Sequence, residues 1–173
     1  YAALAVLAAL GGAFYFTNSK AKVEKESHVA AKTDLPNLTL LPEVVERVTK
    51  LEFKAADKEA VVLEKGADGW EITAPLKVKA NAADVKTLLE GLQKLKVLDA
   101  IDRTATVYEK YDVADNKGTR FTLSTGNDKP IDVIFGQMGS RGQTVRVMGR
   151  DGVYVAEGYQ ASSFNKDVKG WRD

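Results

Sequence analysis

The chain has 173 residues, 45% of them hydrophobic and 28% charged, with 25 Lys and Arg against 24 Asp and Glu. A net charge of +1 excludes a chain held to nucleic acid by bulk positive charge, and it excludes a highly charged disordered tail. There is no cysteine, which removes disulfides, thiolate metal sites and cysteine nucleophiles, and the single histidine, His28, leaves nothing for a multi-histidine metal site.

Residues 1–16 read YAALAVLAALGGAFYF, without a charge or strong polar group. As a helix this segment covers about 24 Å, slightly short of a hydrocarbon core of roughly 30 Å. The chain opens on Tyr1 rather than Met, so a few preceding apolar residues are expected to complete a span. Tyr1, Phe14 and Tyr15 would then serve as aromatic anchors at the interfaces. A cleavable signal peptide and a buried soluble helix are the rival readings. An uncleaved transmembrane anchor over residues 1–19 is the preferred one. Ala5, Ala9 and Ala13 form one stripe of small residues, with Ala8 and Gly12 on a neighbouring one. Small residues four apart let membrane helices approach closely, so these five are the candidate contacts with other integral membrane subunits. No histidine lies in the span to ligate a haem or pigment.

Residues 20–46 read as a polar stalk. Lys20, Lys22, Lys25 and Lys32 are only partly balanced by Glu24 and Glu26, which taken alone keeps this flank cytoplasmic. A span that behaves as a bacterial signal anchor instead exports the residues on its C-terminal side. The resulting expectation is a single-pass protein of the bacterial inner membrane with the bulk of its chain in the periplasm. His28 lies in the stalk and is assigned no role. Pro36 and Pro42 push Leu35 and Leu41 toward extended conformations, so LPNLTLLPEVV is expected to lie as an apolar strap against the domain or a partner.

From residue 47 to 173 the pattern becomes that of an α+β domain. VTKLEFK, VVLEK and WEITA alternate or are β-branched and are separated by Gly and Asp, which predicts antiparallel strands. LKVKA (76–80) adds a short extended run. Val85, Leu88, Leu89, Leu92 and Leu95 then form one apolar stripe, predicting a helix over 81–95 with Asn81 as N-cap and Asp84 in its first turn. A strand over 97–101 and a helical turn within 104–111 come after it. Strands are next predicted at 119–125, 131–136, 143–149 and 153–158, with Asp151-Gly152 as a two-residue turn signal. A short amphipathic helix within 159–166 closes the domain. The expected architecture is an antiparallel sheet backed by one principal helix.

No chemistry is written plainly in this domain. Gly136, Gly139 and Gly142 space like a phosphate loop, but they join two strands and lack the Lys-Ser/Thr pair, so a hairpin tip is expected, with Arg141 as a candidate partner contact. Asp99 and Asp102 fall on opposite faces of a regular strand, which spoils a carboxylate pair. Ser124, Ser140, Ser162 and Ser163 have no histidine base nearby, and Asp112, Asp115 and Asn116 are too sparse for a calcium loop. Trp70 reads as a strand residue with a buried body, and Trp171 as a second candidate partner contact.

Several fragments together resemble the bacterial domain-of-unknown-function family 4340. They are KLEF (50–53), VVLEK (61–65), GWEITAPL (69–76), the ANAADVKTLLEGLQKL helix (80–95), YEKYDV (108–113), IDVIFG (131–136), VRVMGRDGVYV (145–155) and WRD (171–173). Each is weak alone; their order and spacing carry the likeness. The resemblance implies an N-terminal membrane anchor, an extracytoplasmic α+β domain that is often repeated, and an association with gliding-motility-type ABC transporters. WRD resembles the join into such a second half. No catalytic residue or cofactor is implied. The functional expectation is a non-enzymatic accessory or scaffold subunit of a membrane complex, contacting the lipid bilayer and protein partners and no nucleic acid. The alternative is an envelope-facing module that binds a small molecule or glycan.

Overall fold

The alternating apolar residues need a partner layer, and in the computed structural model, which describes residues 34–159 and 161–173, they find it in one antiparallel sheet. Its strands are β1 (Lys50–Ala55), β2 (Val61–Gly66), β3 (Gly69–Ala74), β4 (Val78–Lys79), β5 (Lys96–Asp102), β6 (Thr119–Thr125), β7 (Asp128–Gly139), β8 (Gly142–Val147) and β9 (Val153–Glu157). Among the described residues four short helices accompany them: α1 (Pro42–Glu46), α2 (Ala82–Leu92), α3 (Ala161–Phe164) and α4 (Val168–Trp171). The nine strands run in the order β4-β3-β2-β1-β6-β7-β8-β9-β5. The fold is thus mostly antiparallel sheet with few helices. Two meanders, β1–β4 and β6–β9, meet where β1 pairs with β6, with Phe53 opposite Phe121.

Register places Leu51, Leu63, Phe121, Leu123, Val133 and Val145 on one face of the sheet, all buried. This face is covered by α2, α3 and α4. Asn81 caps α2 by accepting hydrogen bonds from Ala83 N and Asp84 N at 3.0 and 3.2 Å. The helix buries Val85, Leu88, Leu89 and Leu92. It stops at Leu92, before the predicted end, because Lys94 N and Leu95 N donate to Gly91 and Leu92 in tighter turns. Leu95 still points inward and is buried. Phe164 and Trp171 complete the layer, with Phe164 edge-on to Phe121 at 5.0 Å and Trp171 stacked on Phe53 at 5.0 Å.

The opposite face divides in two. Over β7–β9 it carries a second apolar cluster of Val113, Ile134 and Val153, roofed by Val107, Tyr108 and Tyr111 from the β5–β6 connection. That connection opens with a 3-10 turn at Ala105–Val107. Over β1 and β6 the face is open and polar, with Arg120 bound to Asp132 through two bonds of 3.0 and 2.9 Å.

The compact unit of the fold spans Pro36–Asp173. Within it Leu38 and Leu40 are buried, Leu40 N donates to Leu92 O at 3.1 Å, and Thr39 Oγ1 donates to Leu95 O at 2.7 Å. The strap therefore lies in one body with the sheet, upstream of the boundary expected at residue 47. The predicted anchor at 1–19, its Ala5, Ala8, Ala9, Gly12 and Ala13 stripes, and most of the stalk lie outside the described residues. Among the described residues no helix is long and apolar enough to cross a membrane.

Hairpin chemistry also differs in place. Gly126-Asn127 joins β6 to β7 and Ser140-Arg141 joins β7 to β8 as two-residue loops, whereas the Asp151-Gly152 signal falls inside a longer connection. Gly149 and Gly152 both take positive φ there, at 78° and 117°, and Met148 N donates to Asp132 O at 2.9 Å, extending the β7–β8 pairing by one residue.

Candidate functional site

The two ends of the sheet are unequal. β4 is two residues long, and the chain terminus closes on it: Ala80 bridges Arg172, and Asp173 N donates to Lys79 O at 3.2 Å. β5 is seven residues long, pairs only with β9, and is the last strand of the sheet. Its outer edge carries no ladder among the described residues. Two bulges bring Lys96, Asp99 and Asp102 opposite Glu157, Val155 and Val153, alternate positions of β9. The expectation that Asp99 and Asp102 lie on opposite faces is therefore corrected, because the extra residue between Ala100 and Asp102 shifts the alternation by one.

The two carboxylates still do not form a pair. Asp99 is bound by Arg141, whose guanidinium reaches across from the β7–β8 tip to 3.6 Å. Asp102 Oδ1 accepts from Thr104 Oγ1 at 2.7 Å and from Thr104 N at 2.8 Å. The Thr104 hydroxyl bond, then the Thr104 backbone bond, hold the Asp102 carboxyl below its usual value. A depressed acid pKa contributes stability above the unfolded pKa, near pH 4, and loses it as pH falls through the folded value. Asp102→Asn should accordingly destabilise the chain at pH 6, with the gap to wild type closing as the pH falls below about 4 in urea titrations. A gap independent of pH would show that the carboxylate charge plays no part.

Arg141 stays on the surface, its side chain 64% exposed, and so keeps the place the sequence predicts for it. It also borders a small hollow of about 180 Å³ floored by Ile101, Tyr111 and Val155. The tip, Arg141 and the β5 edge thus form one continuous surface, to which Leu98 adds an exposed apolar side chain. Gly136, Gly139 and Gly142 do not converge on a helix. A Cβ at Gly136 would run into Tyr111 O and Val113 Cγ1, so this glycine lets the Tyr108–Val113 roof lie close on β7.

Trp171 is corrected. Its ring is fully buried between Phe53 and Lys166, whose Nζ lies 5.0 Å from the ring centre, and no residue beyond the core can reach it. Its backbone carbonyl accepts from Asn81 N at 2.8 Å, which ties the last turn to the start of α2. Its Nε1 finds no acceptor among the described residues.

Sequence reasoning missed one concavity. A mostly apolar cleft of about 250 Å³ opens between Phe53, Val61, Pro75 and Phe164, with Lys58, Glu59, Asn165 and Asp167 around it. Asn165 Oδ1 accepts from Thr119 Oγ1 at 3.0 Å and from Tyr159 OH at 3.4 Å. Burial pushes the Tyr159 hydroxyl up to about 12, so it stays a donor. The cleft draws on separated segments, each of which reads as ordinary strand or helix, and no local motif marks it.

Ser124 and Ser163 are buried, and no histidine falls among the described residues. No group of three or more potential metal ligands exists among the described residues. No curated protein matches this chain, and neither does any solved structure. Strands β1 and β2 precede the stretch that a family model covers, although β1 is an interior strand, paired with the central β6. That stretch, residues 70–173, holds β5, Arg141 and Trp171, and by it the chain belongs to the family described as a domain of unknown function, DUF4340.

Proposed function

We propose that this chain is a non-enzymatic accessory or scaffold subunit, an α+β module held at the bacterial inner membrane by the apolar segment 1–19 and displayed on its periplasmic side. The observation that carries the contact role is the β5 edge continuous with the Arg141 tip. An open strand offers unpaired N–H and C=O groups to a partner strand, and neighbouring side chains select which one. The apolar, uncharged 1–16 sequence supports the anchor, and its small-residue stripes suit docking to another membrane helix. The association with an ABC transporter rests on the resemblance alone.

Purification of the full chain from native membranes in mild detergent tests the reading. Stoichiometric integral membrane subunits should accompany the wild type and be depleted at least tenfold by Leu98→Lys with Arg141→Glu. Recovery of the chain free of membrane subunits would overturn it. A binding module for a small molecule is favoured by the Phe53–Phe164 cleft, but its volume of about 250 Å³ falls under the roughly 300–1,000 Å³ of ordinary ligand pockets. The contact reading therefore leads.

A further inference from the structure

We infer that the β5 edge takes as its partner the β5 edge of a second copy of this chain, antiparallel, about a two-fold axis at Asp99. This rests on the reading of β5 as a contact surface and identifies what occupies it.

The strand sequence is complementary to its own reverse. With Asp99 opposite its equivalent, Lys96 faces Asp102 and Val97 faces Ala100, while Leu98 and Ile101 are the bulged residues. Both ends of the pairing then carry opposite charges, and the middle pairs are apolar. Opposite charges and apolar pairs directly across an antiparallel ladder stabilise it, whereas like charges there oppose it. The bulges matter here. By setting Lys96, Asp99 and Asp102 against alternate residues of β9, they place all three on one side of the sheet, so each Lys96 meets Asp102 on the same face.

The single like-charged contact is Asp99 with itself, and each copy brings its own neutraliser, Arg141 at 3.6 Å. A two-fold axis requires one patch to be complementary to itself, which is the condition this strand meets. Pairing would also cover Leu98, one of few large apolar side chains left exposed. The other end of the sheet offers no such option, since the terminal residues already close on β4.

The register is directly testable because the chain has no cysteine, so any single introduced thiol can oxidise only with another copy. Residues opposite one another on paired strands lie about 4.5–5.5 Å apart between Cα atoms, inside the disulfide range of roughly 4.4–6.8 Å. Because of the bulges, residue 96 lies four ladder positions from its own equivalent, or about 13 Å at 3.3 Å per residue, as does residue 102. The full chain in detergent micelles, oxidised with copper phenanthroline, should give a disulfide dimer for Asp99→Cys. Neither Lys96→Cys nor Asp102→Cys alone should cross-link, whereas an equimolar mixture of the two should. At least a tenfold difference in initial rate is expected between matched and unmatched positions, with far-ultraviolet circular dichroism confirming that all variants are folded.

Equal rates at 96, 99 and 102, or no cross-link in either matched case, would overturn the pairing. The mixed pair keeps the test decisive if Asp99→Cys is perturbed by losing Arg141. Should the matched cross-links fail while Leu98→Lys with Arg141→Glu still strips membrane subunits from the purified chain, the second copy is excluded and the contact role of β5 stands. Failure of both would remove the contact reading as well.

Discussion

Trp171→Ala should lower the unfolding free energy by about 3–5 kcal/mol, the range for deleting a large aromatic side chain from a packed core. The ring is fully buried and stacked at 5.0 Å on Phe53, which itself packs at 5.0 Å on Phe121. Its loss would leave a void between Phe53 and Lys166 and strip one face from the aromatic cluster that joins the two meanders. Trp171→Phe is the informative companion. It keeps a ring against Phe53 and removes the Nε1–H that has no acceptor among the described residues, a group whose burial costs about 1–3 kcal/mol. The smaller ring loses some packing in return, so a net change within about 1 kcal/mol is expected. Urea unfolding followed by circular dichroism separates the two variants. An alanine variant as stable as wild type would place the indole outside the core and restore it as a surface contact.

Gly136→Ala should cost about 1–3 kcal/mol, through overpacking rather than backbone strain, since Gly136 is absent from the residues with positive φ. Its added carbon would collide with Tyr111 O, Thr144 Oγ1 and Val113 Cγ1 together. These atoms belong to the roof and to the bonds that hold it. Thr144 Oγ1 donates to Tyr111 O at 3.0 Å, Gln137 N donates to the same oxygen at 3.3 Å, and Gln143 Nε2 donates to Gly136 O. Arg146 adds a further clamp, stacking 4.2 Å from the Tyr108 ring centre while donating to Asp115 at 3.0 Å. The damage should therefore concentrate in one place. Amide exchange is expected to accelerate for residues 107–113 and to change little in β1–β3. Uniform acceleration across the sheet would show that the roof and the ladder open together.

The strands were legible because their residues alternate or branch at Cβ. β1, β2, β3, β6 and β8 fall where Leu51 and Phe53, Val61 and Leu63, Ile72, Phe121 and Leu123, and Val145 predict them. α2 was legible from its stripe and Asn81, although its last turn was not, because the tighter bonds at Lys94 and Leu95 are not encoded in apolar spacing. Strand order was illegible for a different reason. The β1–β6 pairing joins residues far apart in sequence, and nothing local to Phe53 names Phe121 as its partner. The bulges in β5 were invisible for the same cause, since they arise from fitting seven residues against five on β9. Trp171 was misplaced because aromatic residues near a chain end look alike whether they face a partner or fold back. Arg141 was placed correctly by its glycine neighbours, but its reach to Asp99 depends on the sheet bringing β9 between them.

The first and last strands of the sheet are consecutive in the chain, and α2 is what connects them. Laid flat, nine strands would hold these rims about 38 Å apart at roughly 4.8 Å per gap. The 11 residues of α2 supply only about 16 Å of that distance. Lys94 and Leu95 are used up in turning rather than reaching. The connection is thus a bowstring drawn across a bent stave, and it keeps the sheet curled. A force that separates the rims loads the helix lengthwise before it shears any ladder. Mechanical extension of the domain should therefore begin with α2 unwinding its coils and the stave straightening.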